Sequence, residues 1–257
     1  MTEQYYGKPP TYSYFRGGST GGRQGMIEAQ RYPNDFDAII MGYAAFNKTG
    51  IPCTQDAYLG KASLYPNGTS ILANDDIYTL VEGSLTACDA NDGLVDGIID
   101  PSYKCSWDPI SVYCPVGKTA SGKCLSNMAK VTMARTLYNY AYDSAGHLVY
   151  KAKFYPGSEC EWESFTSGGA ASLSLANNLA LCFQVSPPLN FTLDDWNLDV
   201  QPYQMGYMGD IMNPQSYDLS VFSNKGGKII HYQGMSDGLI SMDWNLNYYK
   251  GYVSFPP

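Results

Sequence analysis

Tyr14-Phe15-Arg16-Gly17-Gly18-Ser19-Thr20-Gly21-Gly22-Arg23-Gln24-Gly25-Met26-Ile27-Glu28 is the stretch on which the fold turns. Thr11-Tyr12-Ser13-Tyr14-Phe15 is rich in β-formers and reads as a short strand. Gly17, Gly18, Gly21 and Gly22 then punctuate the chain. From about Arg23 to Arg31 the residues favour helix, and Pro33 ends it. Phe36 to Gly42 contains Ala38-Ile39-Ile40-Met41, a candidate buried strand. Strand, glycine-rich turn, helix and strand make one βαβ unit, so an α/β fold with a parallel sheet is expected.

Gly17-Gly18-Ser19-Thr20-Gly21 spells G-x-S-x-G. A serine at that spacing sits on a tight strand-to-helix turn in a strained conformation, where side chains at the flanking glycines would clash. Its hydroxyl is presented above the C-terminal edge of the sheet. The N–H of Thr20, at the helix N-terminus, can donate to an oxyanion. Ser19 is the candidate nucleophile and Thr20 the candidate oxyanion donor. The same spelling also suits an ordinary glycine-rich βα turn.

Outward from this unit the pattern changes. Residues from about 47 to 222 hold all seven cysteines and many Asn, Pro and Tyr, without βαβ alternation. Asn127–Tyr140 has the apolar spacing of an amphipathic helix, and Ala170–Ala180 is a second candidate. Lys228–Tyr232 returns to a buried-strand pattern, a loop Gln233–Ser241 follows, and residues 242–250 read as helix. The region 47–222 is therefore expected to be a second domain inserted between two pieces of one core, 1–46 and 223–257.

A serine hydroxyl needs a base, normally histidine, and a carboxylate to orient that base. With this elbow the chain order is Ser, acid, His. Asp237 follows the late strand and is the candidate acid, although an Asp before Gly238 also suits a plain turn. Only two histidines exist. His147 follows Gly146 in an expected turn, and His231 lies within the late strand, where a packed core role is the simpler reading. Neither follows the acid.

Asp89, Asp92 and Asp96 bring three carboxylates into one short glycine-bearing loop. Close carboxylates repel unless a cation neutralises them. Calcium accepts six to eight oxygens, and the backbone carbonyls of Leu94 and Ile98 could add to the three side chains. The loop is not an EF-hand, and a solvated acidic turn is the plain alternative.

The net charge of −8, with no Lys/Arg cluster, sets nucleic acid aside. No apolar run is long enough to span a membrane. Loosely spaced cysteines without a CxxC pair suit disulfides, hence an oxidising compartment. Asn47-Lys48-Thr49, Asn67-Gly68-Thr69 and Asn190-Phe191-Thr192 are N-glycosylation sequons. These point to secretion, yet residues 1–15 hold no apolar signal segment. A leader upstream of Met1 is expected, and the odd cysteine count also leans toward a missing piece.

Together these segments resemble the tannase and feruloyl esterase family of α/β-hydrolases. The resemblance is carried by Tyr14–Gly25 running into Glu28–Pro33 and Asp35–Asp37, by Cys88-Asp89-Ala90 with Asp92-Gly93, Asp96–Pro101 and Cys105, by Cys124-Leu125, and by His231–Ile240. It implies Ser19 as nucleophile and Asp237 as triad acid. It implies an α/β-hydrolase core, here incomplete at both ends, and a lid domain over about 47–222. In that lid it implies a structural calcium ion held by Asp89, Asp92 and Asp96 side chains and by the Leu94 and Ile98 carbonyls. It suggests disulfides Cys88–Cys105 and Cys114–Cys124; Cys160–Cys182 is added as a third, leaving Cys53 unpaired. The implied reaction is hydrolysis of phenolic-acid esters, feruloyl or galloyl, small-molecule or cell-wall, through a Ser-Asp-His triad and an acyl-enzyme. Two departures stand out. Gly18 occupies the place of a cysteine that the family usually bridges to one after its catalytic His, and that His-Cys segment is expected beyond Pro257. A chain without it would be an inactive relative, at most a calcium-stabilised binding module.

Overall fold

The computed structural model describes residues 2–115, 123–167 and 192–255. After a short helical turn at Thr2–Tyr6 the chain enters β1 (Tyr14–Gly18), α1 (Thr20–Arg31) and β2 (Ala38–Gly42). Between β2 and the last strand lie α2 (Asp56–Ala62), α3 (Asn74–Cys88), α4 (Met128–Leu137), the strands β3 (Ala141–Tyr142) and β4 (Leu148–Tyr150), α5 (Gly206–Met212) and α6 (Ser220–Asn224). The chain then forms β5 (Lys228–Tyr232) and α7 (Met242–Val253).

β1, β2 and β5 form a three-stranded parallel sheet in that order. Tyr14 pairs with Ala38 and Gly18 with Gly42. Ala38 pairs with Lys228 and Gly42 with Tyr232. The two-residue alternation of strands puts Phe15, Ile39, Met41, Ile229 and His231 on one face. Met26 and Ala29 of α1, Phe222 of α6 and Tyr248 of α7 pack with the apolar residues of that face. The opposite face carries Tyr14, Ile40, Ile230 and Tyr232, which stay 66%, 36%, 61% and 48% exposed.

Two element boundaries differ from the sequence reading. The first strand runs over Tyr14–Gly18 rather than residues 11–15, because pairing with β2 begins at Tyr14. The helix begins at Thr20 rather than near Arg23. Its glycines are therefore not breakers. They let α1 lie close on the sheet: a Cβ at Gly22 would stand 2.7 Å from the Gly42 carbonyl oxygen and 2.9 Å from Ala44. The helix expected over Asn127–Tyr140 is α4, shorter by three residues at its end and by one at its start, where the Asn127 side chain accepts from the Lys130 N–H at 3.1 Å.

The segment between β2 and β5 has a core of its own. Leu80, Leu125, Val131, Leu137, Phe154, Trp162 and Phe165 are buried together. α3 and α4 are joined by Lys130 and Asp76 at 2.7 Å. Glu159 is almost wholly buried among these groups, accepting from the Tyr138 hydroxyl and from the Gly157 N–H. Burial raises its pKa, opposed by those hydrogen bonds.

Cys88–Cys105 and Cys114–Cys124 are disulfides. Among the described residues Cys160, on the helical turn Glu159–Glu161, is free and exposed; its expected partner Cys182 lies outside them. Cys182, the Cys53 side chain and the helix expected at Ala170–Ala180 lie outside the described residues.

Candidate active site

Ser19 connects β1 to α1 with φ 57° and ψ −120°, a left-handed conformation that costs a non-glycine residue about 1–3 kcal/mol. Three backbone bonds hold it there. The Ser19 N–H donates to Gly42 O at 3.1 Å, and Ser19 O accepts from Arg23 N and Ala45 N, both at 3.1 Å. The residue is exposed at the C-terminal end of its strand. Thr20 is the first residue of α1, so its N–H has no partner within the helix.

The flanking glycines are not equivalent. A Cβ at Gly17 would stand 2.5 Å from the backbone of Gly21, whereas a Cβ at Gly21 would meet nothing within 4 Å. The spacing rule thus reflects a close approach on one side only. Gly17→Ala is expected to lower stability by about 3 kcal/mol through overpacking. Gly21→Ala should be neutral or gain about 0.5–1 kcal/mol in helix propensity. Paired thermal melts check this, and equal effects of the two changes would contradict it.

α1 is also anchored from α5, near its start by Arg23 and at its end by Arg31. Arg23 donates to Met212 O at 2.7 Å, and Arg31 donates to Asp210 O at 2.9 Å and Ile211 O at 2.8 Å. Cations at a helix C-terminus meet its negative dipole end. Burial, then the nearby Arg31 charge, lowers the Arg23 pKa.

Asp237 lies in the loop after β5. Its Oδ1 accepts from Leu239 N at 2.9 Å and Ile240 N at 2.8 Å. Oδ2 has only a long contact to Gln233 Nε2 at 3.4 Å, and so remains open to a further donor. The turn reading and the acid reading of Asp237 are thus compatible. Gly238 is there for a close approach: any Cβ would strike the Glu161 backbone and side chain. Because β1 and β5 are parallel, Ser19 and the Asp237 loop emerge at the same edge of the sheet. The strands they follow lie about 10 Å apart across β2. That edge is where open α/β sheets take their ligands.

Neither histidine partners this acid. His231 is half-buried, its Nε2 bonded to Asn245 Oδ1 and its ring edge-on to Phe46 at 5.3 Å. Burial lowers its pKa, opposed by Asn245. It is the packed strand residue the sequence indicated. His147 sits in the turn between β3 and β4, its Nδ1 3.0 Å from Asp143 Oδ2, with its side chain exposed.

Tyr43 escaped the sequence reading. It follows β2 with φ 36°, and its N–H donates to Tyr232 O at 2.7 Å. The rings of Tyr43 and Tyr232 meet edge-on at 6.0 Å. They fill the space that side chains at Gly18 and Gly42 would need. Only the pairing of each tyrosine with a distant glycine could have revealed this. A cleft of about 860 Å³ beside β5 has neither Ser19 nor Asp237 in its wall. It marks the unpaired side of β5 rather than the chemistry.

The acidic loop is folded by its own carboxylates. Asp89 accepts from Asp96 N at 3.3 Å and Gly97 N at 3.2 Å, closing the loop end to end. Asp92 accepts from Leu94 N at 2.8 Å, and Asp96 from Ile98 N at 3.1 Å. Gly93 at φ 96° and Gly97 at φ 83° make the turns that need glycine. Among the described residues no three acidic, His or Cys side chains stand together as a metal-ligand set. The donor chemistry, carboxylate and carbonyl oxygen only, is that of a hard cation such as calcium.

Residues 1–255 match the family model described as tannase and feruloyl esterase. A probable feruloyl esterase B-1 of Aspergillus oryzae is 28% identical over 97% of this chain and 46% of its own length. A probable feruloyl esterase B-2 of Aspergillus terreus is 30% identical over 97% of this chain and 46% of that protein. The chain thus spans about half the length of the curated relatives it matches. The crystal structure of feruloyl esterase B from Aspergillus oryzae superposes with a TM-score of 0.81 at 26% identity, over 98% of this chain and 50% of that one. Tannin acyl hydrolase from Aspergillus niger, at 23% identity and TM-score 0.77 over 98% of this chain and 49% of that one, shares the fold.

Proposed function

The chain belongs to the tannase and feruloyl esterase family, and from that membership we propose that it carries the nucleophile and the acid of a carboxylic ester hydrolase acting on phenolic-acid esters. The observation that carries the reading is the strained Ser19 turn at the same sheet edge as the open oxygen of Asp237.

Ser19 Oγ attacks the ester carbonyl carbon, and the Thr20 N–H donates to the oxygen as it gains charge. A base takes the Oγ proton and delivers it to the departing alcohol. Water then attacks the acyl-enzyme, releasing the acid and restoring Ser19. Asp237 Oδ2 orients the base and stabilises its charged form. The base is a histidine other than His147 and His231, whose rings are committed to Asp143 and Asn245. Residues 47–222 act as the lid over the sheet edge, with 1–46 and 223–257 as core. Feruloyl or galloyl esters, free or in cell wall, are the substrate class. Secretion is supported by the two disulfides, which persist in oxidising compartments. Among the described residues no helix is long and apolar enough to cross a membrane.

Treatment with a fluorophosphonate, followed by intact-mass analysis beside a Ser19→Ala control, tests the reading. Labelling that disappears in the control supports an activated Ser19. A second reading is favoured by the lack of any histidine bonded to Asp237: an inactive relative serving at most as a calcium-stabilised binding module. A folded chain that takes no label decides for it.

Calcium is the second part of the proposal. Asp89, Asp92 and Asp96 carboxylates with the Leu94 and Ile98 carbonyls would hold it, as a structural ion that neutralises the clustered charge. Chelation is expected to lower the melting temperature by about 5 °C or more, with recovery on adding calcium. Elemental analysis of the desalted protein that finds no calcium, with melting unchanged by chelator, removes this ion from the account.

A further inference from the structure

We propose that Asn67 is an N-glycosylation site of this protein and that Asn47, although it sits in an equally valid sequon, stays bare in the folded molecule. The inference rests on the secretion reading above for its compartment, and otherwise on local structure.

Asn67 occupies the tip of a reversed turn. Tyr65 N donates to Thr69 O at 2.8 Å, Gly68 N donates to Tyr65 O at 2.8 Å, and Leu64 bridges Ser70. Gly68 takes φ 81°, which a glycine adopts freely. Residues 66–69 are all exposed. The Asn67 Oδ1 accepts from the Thr69 N–H at 3.1 Å and from the Thr69 hydroxyl at 2.7 Å. The whole sequon is therefore folded on itself, and the side-chain nitrogen faces no protein acceptor. A bulky polar glycan on such a tip displaces nothing.

Asn47 is the opposite case. Its Oδ1 accepts from Gly50 N at 2.7 Å, from the Thr49 hydroxyl at 3.2 Å and from Asn213 Nδ2 at 3.2 Å. Thr49 is only 7% exposed, and its hydroxyl accepts from Asn213 Nδ2 at 2.9 Å. The side chain thus knits the chain after β2 to the chain after α5. The Asn47 nitrogen itself lies against buried Gly50, where even a Cβ would strike it, so a glycan there has no room without moving that chain. Asn190 lies outside the described residues.

The transfer is an exchange at one carbon. The anomeric carbon of a lipid-pyrophosphate-linked oligosaccharide bonds to Asn67 Nδ2, its bond to the pyrophosphate oxygen breaks, and the amide gives up one proton. Lipid pyrophosphate is the leaving group.

The full chain, fitted with a secretion leader, is expressed in a eukaryotic host, and the soluble secreted fraction is digested for peptide mass mapping. Treatment with a peptide N-glycanase, an amidase that hydrolyses the glycosylated side-chain amide, in heavy-oxygen water marks each occupied Asn as labelled Asp. The mark is expected on the Asn67 peptide and not on the Asn47 peptide; the Asn190 peptide is read separately. Asn67→Gln and Thr69→Ala should each lose one glycan, Thr69→Ser should keep it, and Asn47→Gln should leave the glycan mass unchanged. An unmarked Asn67 in soluble secreted protein, or a marked Asn47, overturns the proposal. The readout is mass alone, so it stands apart from whether the chain hydrolyses an ester, and the added leader separates it from the native route of export.

Discussion

Ser19→Ala is expected to lower kcat/KM for phenolic ester hydrolysis by about 10⁴-fold or more, with KM little changed, in protein that hydrolyses the ester with Ser19 intact. The loss follows from chemistry rather than from folding. Alanine keeps the Cβ, so the left-handed backbone at φ 57° and its bonds to Gly42, Arg23 and Ala45 persist. What goes is the oxygen that forms the acyl bond. Ser19→Gly separates the two contributions. It is equally inactive, yet it relieves a conformation that glycine adopts freely, and should raise stability by roughly 1 kcal/mol over the alanine variant. A Ser19→Ala protein that keeps more than a tenth of the wild-type rate would remove Ser19 from the mechanism.

Asp56→Asn should make the fall in stability between about pH 4 and pH 7 shallower. Asp56 opens α2, is 9% exposed, and has a pKa raised from 3.8 to about 7, by burial first and against the pull of Lys48. The raised value fixes the sign. Below the unfolded pKa both states hold the proton and nothing is lost. Between the two values the folded chain binds a proton that the unfolded chain has released, so stability falls as pH rises. Above about 7 the ionised carboxylate remains in its buried site and the penalty is complete. At about 1.4 kcal/mol per unit, the effect is on the order of a few kcal/mol. Asparagine, near in size and uncharged, is expected to equal wild type near pH 4 and exceed it at pH 8. Denaturant titrations at the two pH values check this. Glu159 and Asp243 are shifted in the same direction by burial, so a wild-type slope persists in part. Identical slopes for wild type and Asp56→Asn would overturn the assignment.

What was legible in the sequence depended on how local its cause is. Lys228–Tyr232 is β5 residue for residue, since a short apolar run between polar turns is a local signal, but the burial expected of it is not found: none of its five residues is fully buried. The Ser19 turn was legible for the same reason, and the two disulfides through family resemblance. The helix start at Thr20 was not legible, because Gly21 and Gly22 read as breakers until the sheet they lie against is known. Tyr43 was invisible because its partners are Gly18 and Tyr232, one before it and one almost at the end of the chain. Gly17 and Gly21 looked alike in the motif, and only the three-dimensional approach of one to the other tells them apart.

The register of β2 against β5 has a consequence for the order in which the molecule is made. Ile40 pairs with Ile230, so these three strands come together only after the whole of the intervening chain has been synthesised. Closing a loop of that length as flexible chain costs about 5 kcal/mol in entropy, growing with the logarithm of its size. If the intervening segment first collapses around Trp162 and Phe165, the ends are brought together within a compact body and the effective loop is far shorter. Local contacts form before distant ones on this view. The Asp237 loop, which follows β5, then reaches the edge that carries Ser19 only as fast as a segment folds that makes no hydrogen bond to the serine.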